Sequence, residues 1–232
     1  MSAFSSQIEY ECAAAHLEES SSEEILDWLI AQFPRRALSC SFGGPGGLVL
    51  LDMLLRKGSA CTVYCLDTDL LFPDTYKLIE RIEERYRIDV TTVKPELNLT
   101  AQGALYGDAL WERDPDRCCL IRKVEPQREF LRDFDVLVTG LRRTSGPQRS
   151  ATKVVDWEPR SNIAKLNPLA TWDEKQLWQY VHERDIPYNA LNERGYPSVG
   201  CTPCTRAVRP GESERDGRWP EFAKTECGLH HG

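Results

Sequence analysis

Short apolar runs alternate with amphipathic segments along most of this chain, and that alternation limits the fold more than any other feature. RRALSCSF, CTVYCLD (61–67), IDVTTVKP, DVLVTG (135–140) and IAKLNPL (163–169) read as five strands. LVLLDMLLRKG, the stretch from about Asp74 to Tyr86, IRKVEPQREFLRDF and WDEKQLWQYVHERD read as the helices that follow or separate them. Ahead of the first strand, SSSEEILDWLIAQF (20–33) has Ser before paired glutamates, then Ile25, Leu26, Leu29 and Phe33 at helical spacing, the pattern of a capped helix. Strands and helices in this order build a mostly parallel sheet with helices on both faces. The expected organisation is a polar segment over 1–20, an α/β domain over 21–187, and a Cys- and Arg-rich segment over 188–232. That last segment lacks periodicity and cannot form its own core, so it must dock or move.

Size and charge narrow the function. The chain has 232 residues, 41% hydrophobic and 28% charged, the balance of a soluble globular protein. A formal net charge of −7 argues against a broad basic face for nucleic acid, so an anionic ligand needs a local group of Arg and Lys. The first residues lack the basic start and apolar core of a secretory signal, and no apolar run approaches the ~18 residues that span a bilayer. The expectation is a cytoplasmic protein without membrane contact. Nine cysteines is a high and odd number for a reducing compartment, where such residues serve as ligands or nucleophiles.

Four features carry chemistry. Ser41-Phe42-Gly43-Gly44-Pro45-Gly46-Gly47 lies between a strand and a helix, where main-chain N–H groups hold anions and glycines permit close approach and positive φ. It is neither a Walker A loop nor GxGxxG, and a tight turn of no special function explains it equally well. Adjacent Cys118 and Cys119, with Cys201 and Cys204 in CxxC, supply four thiolates for a tetrahedral zinc or a four-iron cluster. Neighbouring ligands are unusual for structural zinc, whereas a cubane offers each thiolate its own iron; a 201–204 disulfide is a further alternative. Cys40, Cys61 and Cys65 read as core residues and Cys12 as an incidental exposed thiol. Cys227, in KTECGLHHG, has Lys224 before it, His230 and His231 after it, and Gly228 to turn the chain beside the sulfur. Arg142 and Arg143 follow the strand DVLVTG, at the sheet edge where open α/β folds bind ligands, while Arg149, Arg206, Arg209, Arg215 and Arg218 are further basic candidates.

Taken together, SFGG, LDTDLLFPDTY, CCLIRKVEP, GLRRTSGPQR, KLNPLATW, GCTPCTRAVRPGE, GRW and KTECGLH resemble the adenylylsulfate and phosphoadenylylsulfate reductase family from about residue 38 to 230. The resemblance implies the adenine nucleotide α-hydrolase-like fold of the PP-loop enzymes. KTECGLH is similar to the family's catalytic signature, with Cys227 as nucleophile. CC with CxxC is similar to the branch that carries a [4Fe–4S] cluster on Cys118, Cys119, Cys201 and Cys204 and prefers adenylylsulfate. The resemblance places Ser41, Phe42 and Gly43 on the nucleotide loop, Leu66, Asp67 and Thr68 beside the adenosine, and Lys123, Arg142, Arg143, Arg215 and Arg218 near the phosphosulfate. Two departures stand out: GGPGG replaces the acidic or alanine residues of relatives, and LDTDLLF replaces LDTGRLF, adding Asp69. The implied reaction is thioredoxin-dependent reduction of adenylylsulfate to sulfite and AMP through an S-sulfocysteine, in sulfate assimilation. A thioredoxin or glutaredoxin-like dithiol is the implied partner, and a homo-oligomer is compatible with the sequence. Phosphoadenylylsulfate reduction, an ATP-dependent PP-loop ligase or sulfur-transfer enzyme, and a zinc-stapled binding module are the alternatives.

Overall fold

The computed structural model describes residues 13–229. Six strands form one sheet in the order β3-β2-β1-β4-β6-β5. They are β1 (Arg36–Ser39), β2 (Thr62–Leu66), β3 (Thr91–Val93), β4 (Val136–Thr139), β5 (Val155–Glu158) and β6 (Ile163–Leu166). The β1–β4, β2–β3 and β4–β6 pairs are parallel, and β5 runs antiparallel to β6. The expected α/β class is therefore met, with one strand more than the five read from the sequence. β5 was missed because VDWE carries two acids and an exposed Trp157, the composition of an edge strand and not of a buried run.

The helices that frame the sheet and the site are α1 (Ser22–Gln32), α2 (Gly46–Arg56), α3 (Pro73–Tyr86), α4 (Leu99–Tyr106), α5 (Pro115–Cys119), α6 (Glu125–Phe130) and α7 (Glu174–Glu183), with a single further turn over Leu110–Arg113. Ser21 and Glu24 close the expected capping box on α1, and Asp173 with Gln176 forms a second on α7. The helix expected over IRKVEPQREFLRDF starts earlier, at Pro115, and is interrupted by a π-turn over Leu120–Val124. Pro126 has no N–H to return to residue 122, so the backbone widens there instead of continuing a regular ladder.

The chain divides into two compact units. The first comprises residues 1–40, 45–63 and 131–186, of which the described part starts at residue 13. Its core is Leu26 and Leu29 of α1, Leu38 of β1, Leu50, Leu51 and Leu54 of α2, Val136–Val138 of β4 and Leu177 and Val181 of α7, all buried. Helix α2 packs on β1, β4 and α7. Its start meets the end of β4 backbone to backbone: a Cβ on Gly46 would lie 2.7 Å from the Gly140 carbonyl oxygen. The second unit comprises residues 41–44, 64–130 and 187–232, of which the described part ends at residue 229. Here the Cys- and Arg-rich segment docks through a short bridge of Leu71 with Cys201 and is closed on itself by one of Thr205 with Arg218.

Candidate active site

The candidate site is built in the second unit on two cysteine-bearing turns. Asp114 caps α5, its side chain accepting from the Arg117 N–H at 2.9 Å, and Pro115 opens the helix, so that Cys118 and Cys119 fall at its end. Cys201 and Cys204 flank a 3₁₀ turn closed by the Cys204 N–H on the Cys201 carbonyl at 3.0 Å. All four sulfurs belong to buried residues and line one cavity with Leu70, Trp111, Arg122, Lys123 and Trp219. Every described cysteine is a free thiol, so the 201–204 disulfide alternative is not met.

Charge around these thiols is uneven. Burial works against a charge on Lys123, but the neighbouring Cys201, Cys227 and Cys119 sulfurs outweigh it and hold the ammonium firmly protonated. Burial also opposes the Cys201 thiolate, yet Lys123, the Thr68 hydroxyl and Arg218 bring that thiol below its ordinary value. Thr68 Oγ1 lies 3.2 Å from Cys201 Sγ. Cys118 and Cys204, by contrast, are pushed up by burial, to about 12 and about 11.

Cys227 packs, partly buried, against the Cys119, Cys201, Cys204 and Trp219 group. Gly228 beside it has φ of +83°, the left-handed turn for which a glycine is suited. Lys224 pairs with Asp116 and stands 5.4 Å over the Trp219 ring. Arg218 lies 4.4 Å over the same ring, and its Nη2 crosses Gly200 so closely that a Cβ there would be 2.1 Å away. Arg215 reaches the tail itself, 3.1 Å from the Glu226 carboxylate and 2.8 Å from the Thr225 carbonyl.

The strand-end loops of this unit sit as follows. Phe42, not a glycine, takes the positive φ of 52°, and its carbonyl accepts from Asn189 Nδ2 at 2.9 Å. None of Gly43, Gly44, Gly46 and Gly47 has positive φ, against the expectation; Gly43 serves close approach, its absent Cβ facing the Val199 carbonyl at 2.2 Å. Ser41 is exposed and its Oγ lies 3.4 Å from the Gly43 N–H. After Leu66, Asp67 accepts from the Tyr76 hydroxyl at 2.7 Å and the Asp69 N–H at 2.9 Å, and pairs with Lys94 at 3.2 Å. Arg122, fully buried, donates to Thr68 O at 2.6 Å, Leu97 O at 3.2 Å, Gln102 Oε1 at 3.1 Å and Asp69 Oδ2 at 2.6 Å.

Second-unit residues predicted from sequence thus converge on the cysteine group: Lys123, Arg218 and Cys227 directly, Thr68 through Cys201, and Arg215 through the tail. Arg142 and Arg143 belong to the first unit. Arg142 is buried and donates to Thr144 Oγ1 at 3.1 Å, whereas Arg143 is engaged by Glu18 and by the Thr152 carbonyl at 2.7 Å. Sequence reasoning overlooked Arg122, Trp219 and Glu226; an arginine inside the apolar run CCLIRKV was the one available signal. Cys12, His230 and His231 lie outside the described residues.

Residues 35–207 match the model of the phosphoadenosine phosphosulfate reductase domain. The chain belongs to this family. A protein of Salinibacter ruber called adenosine 5'-phosphosulfate reductase is 43% identical over 93% of this chain and 86% of its own length. One of Gloeobacter violaceus called phosphoadenosine 5'-phosphosulfate reductase is 40% identical over 97% of this chain and 94% of its own. The crystal structure of phosphoadenylyl-sulfate reductase from Candida auris, a phosphate complex, superposes with a TM-score of 0.77 at 31% identity, covering 90% of this chain and all of that one. Candida glabrata FMN adenylyltransferase shares the fold at 16% identity, with a TM-score of 0.60, over 89% of this chain and 71% of its own. The chain is accordingly an oxidoreductase with a small-molecule substrate and the PP-loop type of α/β fold. Among the described residues no helix is long and apolar enough to cross a membrane.

Proposed function

We propose that this enzyme reduces adenylylsulfate to sulfite and AMP in sulfate assimilation, with Cys227 as nucleophile and a cytoplasmic dithiol such as thioredoxin as reductant. The observation that carries the reading is Cys227 docked against Cys119, Cys201 and Cys204, with Lys123 and Arg218 beside them.

The cysteine group suits a [4Fe–4S] cluster better than zinc. Four thiols line one cavity, and two of them, Cys118 and Cys119, stand on neighbouring residues, which suits separate iron corners better than a single metal ion. The buried indole N–H of Trp219, on that cavity, has no hydrogen-bond partner, as suits a donor facing sulfide or thiolate. Cys118, Cys119, Cys201 and Cys204 would hold the cluster, which supplies a fixed charge and a structural staple when bound.

Chemistry falls to the chain's own residues. The Cys227 thiolate attacks the sulfate sulfur, the bond from that sulfur to the bridging oxygen breaks, and AMP departs with the bonding pair. Lys123, Arg215 and Arg218 offset repulsion between thiolate and anion and stabilise charge on the leaving phosphate. A thiolate of the reductant then attacks Cys227 Sγ, sulfite leaves, and the second thiol of the dithiol resolves the mixed disulfide, so both electrons come from the reductant. Ser41, Phe42, Gly43, Leu66, Asp67 and Thr68 keep the nucleotide role that the resemblance implies, and Arg142 and Arg143 their contact with the anion. Arg143 must give up Glu18 to take that part.

The test is sulfite release from adenylylsulfate with thioredoxin, by anaerobically purified protein, with phosphoadenylylsulfate alongside. Adenylylsulfate should be strongly preferred; preference for the 3′-phosphorylated form keeps the chemistry and overturns the substrate. Cys227→Ser should bind substrate and form neither adduct nor sulfite, and normal turnover in that variant would sink the mechanism.

A further inference from the structure

We propose that Glu18 sets this enzyme's affinity for its anionic substrate by competing with it for Arg143. The inference rests on the reading that Arg143 contacts the anion. Residue 18 falls in a stretch that the sequence marks only as polar, yet Leu17 beside it is buried to 2% exposure and anchors that stretch in the first unit. Glu18 thereby meets both stems of the loop that follows β4. One carboxylate oxygen receives Arg143 Nη2, and the other accepts from the Val154 N–H at 2.7 Å.

Arg143 does not need Glu18 to hold its place. Its main-chain N–H donates to the Ala170 carbonyl at 2.9 Å, and its Nε donates to the Thr152 carbonyl at 2.7 Å. The next residue is tied as well, Thr144 Oγ1 donating to the Trp172 carbonyl at 3.1 Å. Backbone and Nε can therefore stay fixed while Nη2 changes partner. Nor is the carboxylate stranded when the arginine leaves, because it keeps the Val154 N–H and its side chain is 32% exposed. A guanidinium takes carboxylate, sulfate and phosphate by the same geometry, so Glu18 and the substrate anion are alternatives at one nitrogen. Substrate must first overcome the Glu18 pair, which at this exposure weakens its binding by about two- to fivefold. A carboxylate that merely braced the loop would act with the opposite sign, since its loss would weaken the hold on the anion.

The experiment is calorimetric titration of adenylylsulfate into full-length, anaerobically purified Cys227→Ser protein, in which it should bind without turnover. Glu18→Gln keeps the shape and an acceptor for Val154 but removes the charge facing Arg143. It should lower the dissociation constant by about two- to fivefold. With Cys227 restored, the same change should lower KM and leave kcat alone, the mark of altered uniform binding. Glu18→Ala removes the competitor along with the Val154 contact; it should shift binding in the same direction and keeps the test decisive if the amide variant does not fold. Arg143→Ala should weaken binding by about tenfold or more, and adding Glu18→Gln to it should change nothing further. Glu18 variants that bind no tighter than the parent overturn the proposal, and so does a Glu18→Gln effect that persists without Arg143. Arg143→Ala protein that binds like the parent, or a parent that takes up no adenylylsulfate, removes the functional reading and this proposal with it. Weak binding in Arg143→Ala with no gain in Glu18→Gln removes the competition alone.

Discussion

Arg122 shows what one buried side chain can fix. At 1% side-chain exposure it gives hydrogen bonds to two main-chain carbonyls of the second unit, to Gln102 and to Asp69, tying the loop after β2 to the π-turn that follows Cys118 and Cys119. Truncation strands buried acceptors, which costs more than the bonds themselves contribute. Arg122→Met should lower unfolding stability by about 3 kcal/mol, and Arg122→Lys by less, because charge survives while the planar fork is lost. Urea denaturation checks both; a Met variant as stable as the parent would show that the loop and the turn are held by other means. Asp69, the departure from LDTGRLF, finds its explanation here, since its carboxylate answers Arg122 and Lys94. At this scale the cysteines were legible because spacing is written in sequence. Arg122 and Glu226 were not, because nothing in a sequence distinguishes a buried ion pair from a solvated charge.

Among the elements, those with a strong apolar pattern were legible and those held by polar contacts were not. Helices α1, α3 and α7 bury apolar residues at helical spacing, while α2 and strands β1, β2, β4 and β6 are near-continuous buried runs. Helix α4 buries only Gln102 and starts on an Asn98 cap, so no apolar stripe marked it. The loop between β2 and α3 is likewise a polar construction, and it carries a pH signature. Burial acts to raise the Asp67 carboxyl, but Tyr76, the Asp69 N–H and Lys94 together hold it below its ordinary value. The unfolded chain thus takes up that proton more readily, so the stabilisation is complete above about pH 4 and is lost as pH falls through the lower folded value. Asp67→Asn should cost about 1–2 kcal/mol at neutral pH, and the gap from the parent should close toward pH 3. A gap that stays constant over that range, followed by urea midpoints, would contradict the assignment.

For the whole molecule, the consequence of the two-unit division lies in what each core is made of. The first unit buries a large aliphatic set from α1, α2, β1, β4 and α7, enough to hold its sheet strands without help. In the second, the apolar group around the site consists of Cys119, Cys201, Cys204 and Trp219, with Leu70, Trp111, Phe222 and Cys227 packed on it. Four thiols and a cationic Lys123 make a poor core by themselves: the thiols gain little from burial and the ammonium opposes it. The proposed cluster, bound by these thiolates, would convert the same residues into a staple, since metal-binding free energy adds directly to folding free energy. Removing iron with a chelator under oxidising conditions, or replacing Cys201 by Ser, should therefore raise amide hydrogen exchange by at least tenfold in residues 64–130 and 187–229. The amides of β1, β4 and β6 should keep their protection. Exchange mapped by mass spectrometry, with iron and sulfide content measured on the same sample, decides it. Protection lost equally in both units would make the cluster a support for the entire chain. Unchanged protection at residues 118–124 after complete iron loss would mean that the four cysteines hold their places without it.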